Sequence, residues 1–353
     1  FDFDDKKTGF SGPDGSTISQ QYLRSIVWQM KGITAIFAPF FAKLKDNLKR
    51  CLIDRVVYVD GMPPTRISAL LNTIPCGEQE FIFIEDDLEK QDRQTDHTLL
   101  GTEMEMYKML GGNPRIVDMW AVVHKHWRAK GINVRFKGDA SRHTGQCTTS
   151  LGNVIVNLMI KEQLIRILKD KLRIMLVLGD DNIILTTAKI SVNQVEERSA
   201  RHFNMRSKAS IDNNFGGFLR MIVYKNANKM AECGPDFVRL ARRYEVTNGV
   251  SEATDKNLDS RTMSYCCMLG KLPRVQAINE SRGWNIKLQD WYEYETVVRN
   301  LAIKYQCTEE MINEQVNHLL DMMEKQNLKV DTKLMFTVAR GGSKAPGEAL
   351  RKT

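Results

Sequence analysis

Leu178-Gly179-Asp180-Asp181 lies between two apolar runs, Ile174-Met175-Leu176-Val177-Leu178 and Ile183-Ile184-Leu185. Apolar runs of this length separated by Gly and Asp read as a tight β-hairpin with acids at its tip. A strand pair buried on both faces does not ordinarily set two like charges side by side. A divalent cation is the simplest partner that keeps both carboxylates ionised. Taken alone, Gly-Asp-Asp is better explained as a solvated turn, so the decision rests on what lies upstream.

Upstream, Phe81-Ile82-Phe83-Ile84 is a short β-rich run of the fully buried kind, ending in Glu85-Asp86-Asp87, with Asp92 five residues after Asp87. A strand ending beside the acidic hairpin would bring Asp87 close to Asp180, as two metal ions about 3.5–4 Å apart require for in-line phosphoryl transfer. A solvated strand-to-helix turn explains the same residues when they are read alone. The third element is Thr144-Gly145-Gln146-Cys147-Thr148-Thr149-Ser150-Leu151-Gly152-Asn153. Gly145 lets the loop approach a ligand backbone closely. Thr148 or Thr149 can cap the helix that follows, whose orphan amides favour phosphate. Thr149 and Asn153, four apart on one helical face, can address the same sugar, although an ordinary capped helix also fits.

In that order, Asp-x4-Asp after a strand, Thr-Gly-x3-Thr-x3-Asn, and Gly-Asp-Asp in a hairpin resemble motifs A, B and C of the RNA-dependent RNA polymerases of positive-strand RNA viruses. The resemblance is narrower to the alphavirus-like supergroup, which includes togaviruses and tobamovirus-like plant viruses. Ile33 to Phe41 resembles the stretch between motifs F and A, Ser207-Lys208 resembles motif D, and Phe215-Gly216-Gly217-Phe218 resembles motif E. The match covers about residues 30–225. The family carries Ser at the position of Thr144. Its basic motif F should fall near the start, where only Lys6-Lys7 stand, so the N-terminal fingers are expected to be missing and the chain to be a piece of something longer.

The resemblance implies an α+β fold, a right-handed polymerase core with an antiparallel palm sheet, partial fingers and a helical thumb. Expected boundaries are residues 1–79 for the fingers, 80–111 for the palm with motif A, and 112–137 for a fingers insertion. Residues 138–228 would be the palm with motifs B to E, and 229–353 the thumb and tail. It implies an RNA-directed RNA polymerase, a nucleotidyltransferase joining NTP to the 3′-hydroxyl of an RNA strand. Asp87, Asp180 and Asp181 would be the catalytic and metal-binding acids, holding Mg²⁺ with Mn²⁺ as substitute. Asp92, Thr149 and Asn153 would sense the ribose hydroxyls, and Thr144 and Gly145 would line the loop. Lys208 would be a general acid at the leaving phosphate, and Phe215, Gly216 and Gly217 would support the primer strand. Implied partners are template and nascent RNA, NTPs and other domains of a larger viral replicase, in membrane-associated replication complexes of the host cytoplasm. The rivals are a reverse transcriptase, which the Asp92, Thr149 and Asn153 set disfavours, and a non-catalytic RNA-binding remnant of the same fold.

Composition agrees with these expectations without deciding them. The 353 residues carry 51 basic and 43 acidic side chains, a net charge of +8 that suits a polyanionic partner. With 42% hydrophobic and 27% charged residues the chain can bury a large core. Seven cysteines, at 51, 76, 147, 233, 266, 267 and 307, include no C-x-x-C pair, so neither a zinc site nor a disulfide framework is indicated, and reduced thiols in the cytosol fit best. No run approaches the length of a membrane span. Periodicity predicts helices over about 19–52, 66–71, 97–110, 116–129, 148–168 and 190–203, a hairpin over 214–223, and mostly helix from 229 onward. His124 and His126 fall on different faces of their expected helix and make a poor metal pair. Arg239, Arg242 and Arg243 form a basic helical face.

Overall fold

The computed structural model describes residues 10–11, 17–18, 29–74, 81–89, 91–130, 135–139, 142–143, 145–245 and 255–339. The expectations for Lys6-Lys7, for Thr144 and for the tail beyond Ala339 fall outside these residues. The described residues divide into two compact units, one within 1–61 and 76–219, the other within 62–75 and 220–353. Residues 62–75 and the chain from Arg220 onward together make the second unit.

Numbered along the chain, the first unit opens with a two-residue ladder of β1 (Phe10–Ser11) and β2 (Thr17–Ile18), followed by α1 (Lys31–Cys51) and β3 (Val56–Tyr58). After β4 (Ile82–Leu88) come α3 (Gln91–Gln94), α4 (His97–Met109) and α5 (Pro114–Val123). The ribbon of β5 (Trp127–Lys130) and β6 (Arg135–Gly138) precedes α6 (Thr149–Leu168). The unit closes with β7 (Leu172–Leu178), β8 (Asp181–Thr186), α7 (Val192–Phe203), β9 (Ser207–Asp212) and β10 (Phe215–Phe218).

Its centre is a five-stranded sheet of order β3-β7-β8-β4-β9. The sheet is mixed rather than wholly antiparallel, because β3 lies parallel to β7, with Val57 opposite Leu176. A three-residue strand is too short to show alternation, so β3 left no periodic signal in the sequence. The β7/β8 hairpin closes at the Leu178–Asp181 pair, and β4 is inserted between β8 and β9.

Local signals set the helix ends. Asp96 accepts from the backbone N–H groups of Thr98 and Leu99 at 3.0 Å and starts α4. Asn113 does the same for Arg115 ahead of Pro114 at the start of α5. Ser191 and Gln194 form a reciprocal capping box on α7. The helix expected over 116–129 is shorter. It stops at Val123, His126 takes φ 50° outside it, and residues 127–130 alternate with period two and pair with 135–138.

α1 buries Phe37, Phe41, Leu44 and Leu48, a stripe at helical spacing. Trp120 of α5 is fully buried between the rings of Phe37 and Phe41, with centroids 5.0 and 4.9 Å away. α6 is buried on most sides and joins the sheet core through Leu151, Val154 and Ile155.

The second unit comprises α2 (Pro64–Leu71), the hairpin β11 (Met221–Lys225) and β12 (Ala231–Pro235), and the helices α8 (Phe237–Glu245), α9 (Asp255–Leu269), α10 (Pro273–Ser281), α11 (Tyr294–Tyr305) and α12 (Glu309–Ala339). The expectation of helix from 229 misses β12. Ala-Glu-Cys-Gly-Pro has little strand propensity, and pairing with β11 decides its conformation. Buried Asp236 caps α8 at the Arg239 N–H and receives Lys304 and Tyr305 of α11 at 3.2 and 2.8 Å. No helix among the described residues is long and apolar enough to cross a membrane.

Trp120→Ala removes the ring around which α1 and α5 pack and should destabilise the first unit by about 3–5 kcal/mol. Urea unfolding followed by circular dichroism measures it. An unchanged midpoint would show that this aromatic cluster does not hold the two helices.

Candidate active site

The acidic hairpin forms as its residues dictate. Gly179 takes φ 63° at the first turn position, which a side chain would resist, and Asp180 follows exposed at the tip. Strand alternation then divides neighbouring acids between two faces of the sheet. Asp86 points inward and is buried, while Asp87 is exposed on the opposite face. β4 pairs with β8 through Glu85 opposite Ile183. β4 continues past that pair to Asp87 and β8 starts just before it at Asp181, so both acids lie at the same end of the sheet as the turn.

Three polar side chains on α6 hold these strands from the inner face. Asn153 donates to Asp92 Oδ1 at 3.0 Å, and its own carbonyl accepts from Gln91 at 3.0 Å. One turn on, Asn157 donates to the carbonyls of Asp180 and Gly179, at 3.2 and 3.4 Å. Asn182 of β8 donates to the Asp86 carbonyl at 2.7 Å and lies 3.3 Å from Asn157 Oδ1. A further turn on, Lys161 forms an ion pair with Asp86, both essentially without solvent contact. Burial draws the Lys161 ammonium down to about 7.

The loop before α6 is built on buried polar contacts. Gln146 links the His124 ring, at 3.1 Å, to the His143 N–H, at 3.4 Å. Thr149 directs its hydroxyl to the carbonyls of His143 and Gln146, at 2.7 and 3.0 Å, so its proton serves the loop itself. Thr148, the N-cap residue, makes no side-chain cap. Gly145 is half-buried in this loop. Gly152 is required by close approach, because a Cβ there would meet Arg142 Nη1 at 2.2 Å and Glu103 Oε1 at 2.4 Å. Glu103 is paired with Arg142 and accepts from the Tyr107 hydroxyl, all buried. Burial, followed by the Glu103 charge, drives the Tyr107 hydroxyl well above its ordinary value. Burial likewise holds His124 below its ordinary value and His143 down to about 4.

The outer face completes the arrangement. Lys208 lies directly opposite Asp87 in the β4/β9 ladder, and both are exposed. The Gly217 N–H donates to Glu85, and the Leu219 N–H donates to Asp181 Oδ2 at 3.0 Å. Gly216 permits this approach, since a Cβ would come within 2.8 Å of Ile183. Phe215 stays half-buried and Phe218 is fully buried.

The fold therefore gathers Asp87, Asp180, Asp181, Asp92, Asn153 and Lys208 around one end of the sheet, with Gly216 and Gly217 alongside. Sequence reasoning missed Asp86, Asn157, Lys161 and Asn182, which position them. The signal was present as Asn153, Asn157 and Lys161, polar at four-residue intervals among the apolar residues that α6 buries. His124 and His126 share no helix, and His126 pairs with Asp139 at 2.7 Å. The carboxylate oxygens of Asp87 and Asp180 are donors suited to a hard cation. Among the described residues no three His, Cys, Asp or Glu side chains converge on a ready-made cage. An ion such as Mg²⁺, which keeps waters and takes substrate phosphates, needs only one or two carboxylates.

A sequence model of the family described as RNA dependent RNA polymerase matches residues 13–219. The chain is 23% identical over 169 residues to the replicase polyprotein 1ab of Beet yellows virus, and 27% identical over 207 residues to the replicase large subunit of Sunn-hemp mosaic virus. These alignments cover 47% and 54% of the chain but 5% and 12% of those proteins, so the chain spans only a small part of the relatives' length. The fold is similar to that of the RNA-dependent RNA polymerase of a human picorbirnavirus, with TM-score 0.54, 14% identity, and coverage of 90% of this chain and 64% of that one.

The buried His143 generates an acid response. Its ordinary value is 6.5, so between pH 6.5 and about 4 the unfolded chain binds a proton that the folded chain refuses. Stability from this group is full above pH 6.5 and falls as the pH drops towards 4. Denaturant midpoints at pH 7, 6 and 5 should decline more steeply for the wild type than for His143→Phe. Parallel curves would show that His143 does not carry the response.

Proposed function

Because the chain belongs to the RNA-dependent RNA polymerase family, within the alphavirus-like supergroup of positive-strand RNA viruses, we propose that it catalyses template-directed RNA synthesis by two-metal nucleotidyl transfer. The observation that supports this most is the Asn153–Asp92 hydrogen bond, formed at the end of the sheet that carries Asp87 and the Asp180–Asp181 turn. The five-stranded sheet with α6 and α7 would be the palm, residues 1–79 and 112–137 would supply fingers, and the helical part from 229 the thumb.

Asp87 and Asp180 would hold Mg²⁺, with Asp181, already engaged by the Leu219 N–H, tuning them. Bound there, the metal would lower the pKa of the RNA 3′-hydroxyl and neutralise the triphosphate. The remaining roles belong to the chain. Asn153 and Asp92, oriented by each other and by Gln91, would meet the ribose hydroxyls, where RNA and DNA substrates differ. Lys208, beside Asp87, would hold a proton near the departing pyrophosphate. Gly145 would let template or nucleotide approach the loop backbone, and the β10 turn would support the primer strand.

Asp180→Asn should abolish nucleotide addition and leave thermal stability equal or higher, since an amide is a poor ligand for a hard cation and the change relieves repulsion with Asp181. A primer-extension assay with Mg²⁺ measures the first effect, and full activity in the variant would remove the metal assignment.

Asn153→Ala should lower discrimination between NTP and dNTP, mainly by slowing NTP use. A hydrogen bond involving a charged group contributes about 1.5–3 kcal/mol, a roughly ten- to hundredfold change in the ratio. An unchanged ratio at wild-type rates would mean that the pair only braces α6 against α3.

A further inference from the structure

The β5/β6 ribbon has a charge arrangement that its own folding does not explain. Its register sets Arg128 opposite Lys137 and Lys130 opposite Arg135. Directly opposed residues, and residues two apart on a strand, share a face, so all four cations stand on one side of the ribbon. All four are exposed. Among the described residues none has a carboxylate within ion-pair distance, although His126 at the foot of the ribbon pairs with Asp139. Like charges directly opposed across a ladder destabilise it. Two such pairs in a four-residue ladder are opposed by nothing within the ribbon.

The other face is an anchor. Trp127 lies over Gly138, where a Cβ would come within 2.3 Å of the indole, so this strand pair depends on glycine at 138. The Trp127 ring stands edge-on to His143, with centroids 4.1 Å apart. The carbonyl of His143 accepts from the Thr149 hydroxyl at the start of α6. The cationic face is thereby tied through Trp127 and His143 to the loop that leads into the active-site helix.

We infer that this face, formed by Arg128, Lys130, Arg135 and Lys137, binds the sugar–phosphate backbone of single-stranded RNA. The inference rests on the polymerase reading for the identity of the polyanion. Phosphate neutralises the opposed pairs that the fold leaves facing each other. Side chains about 5 Å apart across the ribbon and about 7 Å apart along it present charge in a row rather than at a point. Recognition is of charge and not of bases, since none of the four is held in a fixed orientation by a neighbour of opposite charge.

The test is RNA affinity by fluorescence anisotropy across a salt series, using the whole chain and a labelled single-stranded RNA of mixed sequence. Each phosphate contact on a single strand adds about 0.7 to the slope of log affinity against log salt. Replacing all four residues with Gln should therefore reduce the slope by up to about 3, and Lys130→Gln with Arg135→Gln by about half as much. Thermal midpoints should stay equal or rise, because repulsion is relieved. The milder pair decides the matter if the fourfold variant unfolds. Wild-type RNA binding with unchanged slope and affinity in the variants would overturn the ribbon site and leave the polymerase reading standing. It would also turn the face towards an acidic protein partner. Absence of RNA binding by the wild type would overturn both.

Discussion

Asn153, Asn157 and Lys161 carry one buried helix to both acidic segments, and the placement of every carboxylate at the site depends on them. Each is at most 5% exposed, so water does not compete for its bonds. An unmet partner of any of them would cost about 1–3 kcal/mol, and more where charge is involved. The strongest demand is at Lys161. A buried ion pair is seldom stabilising against an apolar replacement, yet removing one partner typically costs about 3–5 kcal/mol. Such a pair specifies geometry more than it adds stability. Only the alignment of α6 that brings Lys161 to Asp86 avoids an isolated charge, and that alignment also delivers Asn157 to the Asp180 carbonyl and Asn153 to Asp92.

The outward carboxylates depend on this inward lock through strand alternation. With Asp86 fixed beneath the sheet, Asp87 has to emerge on the other face, and slippage by one residue would bury Asp87 and expose Asp86. Asn182 gives the same guarantee on β8, because its bond to the Asp86 carbonyl fixes the register that turns Asp181 outward. The Asn157 contacts hold the turn backbone while Asp180 itself stays exposed. Main-chain and amide contacts thus set the strand register and the turn that carry the exposed acids.

The features legible in the sequence were local ones. Gly179-Asp180 between apolar runs specifies a two-residue hairpin, and a buried strand followed by Asp87 and Asp92 leads into the short helix that presents Asp92 to Asn153. What was not legible depended on partners distant in the chain. Lys161 on a helix reads as a solvated residue until Asp86 is known to lie beneath it. β12 reads as coil until β11 pairs with it, and Asn182 reads as the ordinary end of an acidic turn. The helix expected over 116–129 failed for a different reason. Its apolar spacing holds only to Val123, and the alternation of Trp127 and Ala129 with Arg128 and Lys130 is visible only when period two is tested against period 3.6.

The acidic end of the sheet concentrates Asp87, Asp180 and Asp181, with Lys208 directly opposite Asp87 in the ladder. On the proposed function, a negatively charged polymer has to approach this negative centre. At about 4 Å two like charges repel by roughly 4 kcal/mol near a protein surface, and salt screens such repulsion only beyond about 8–10 Å. Attraction therefore has to come from cations set apart from the acids, which they would otherwise neutralise. Arg128, Lys130, Arg135 and Lys137 stand on a ribbon linked to the α6 loop through Trp127 and His143. The repulsion between the opposed pairs is the counterpart of gathering four cations on one face, and a polyanion lying across that face relieves it.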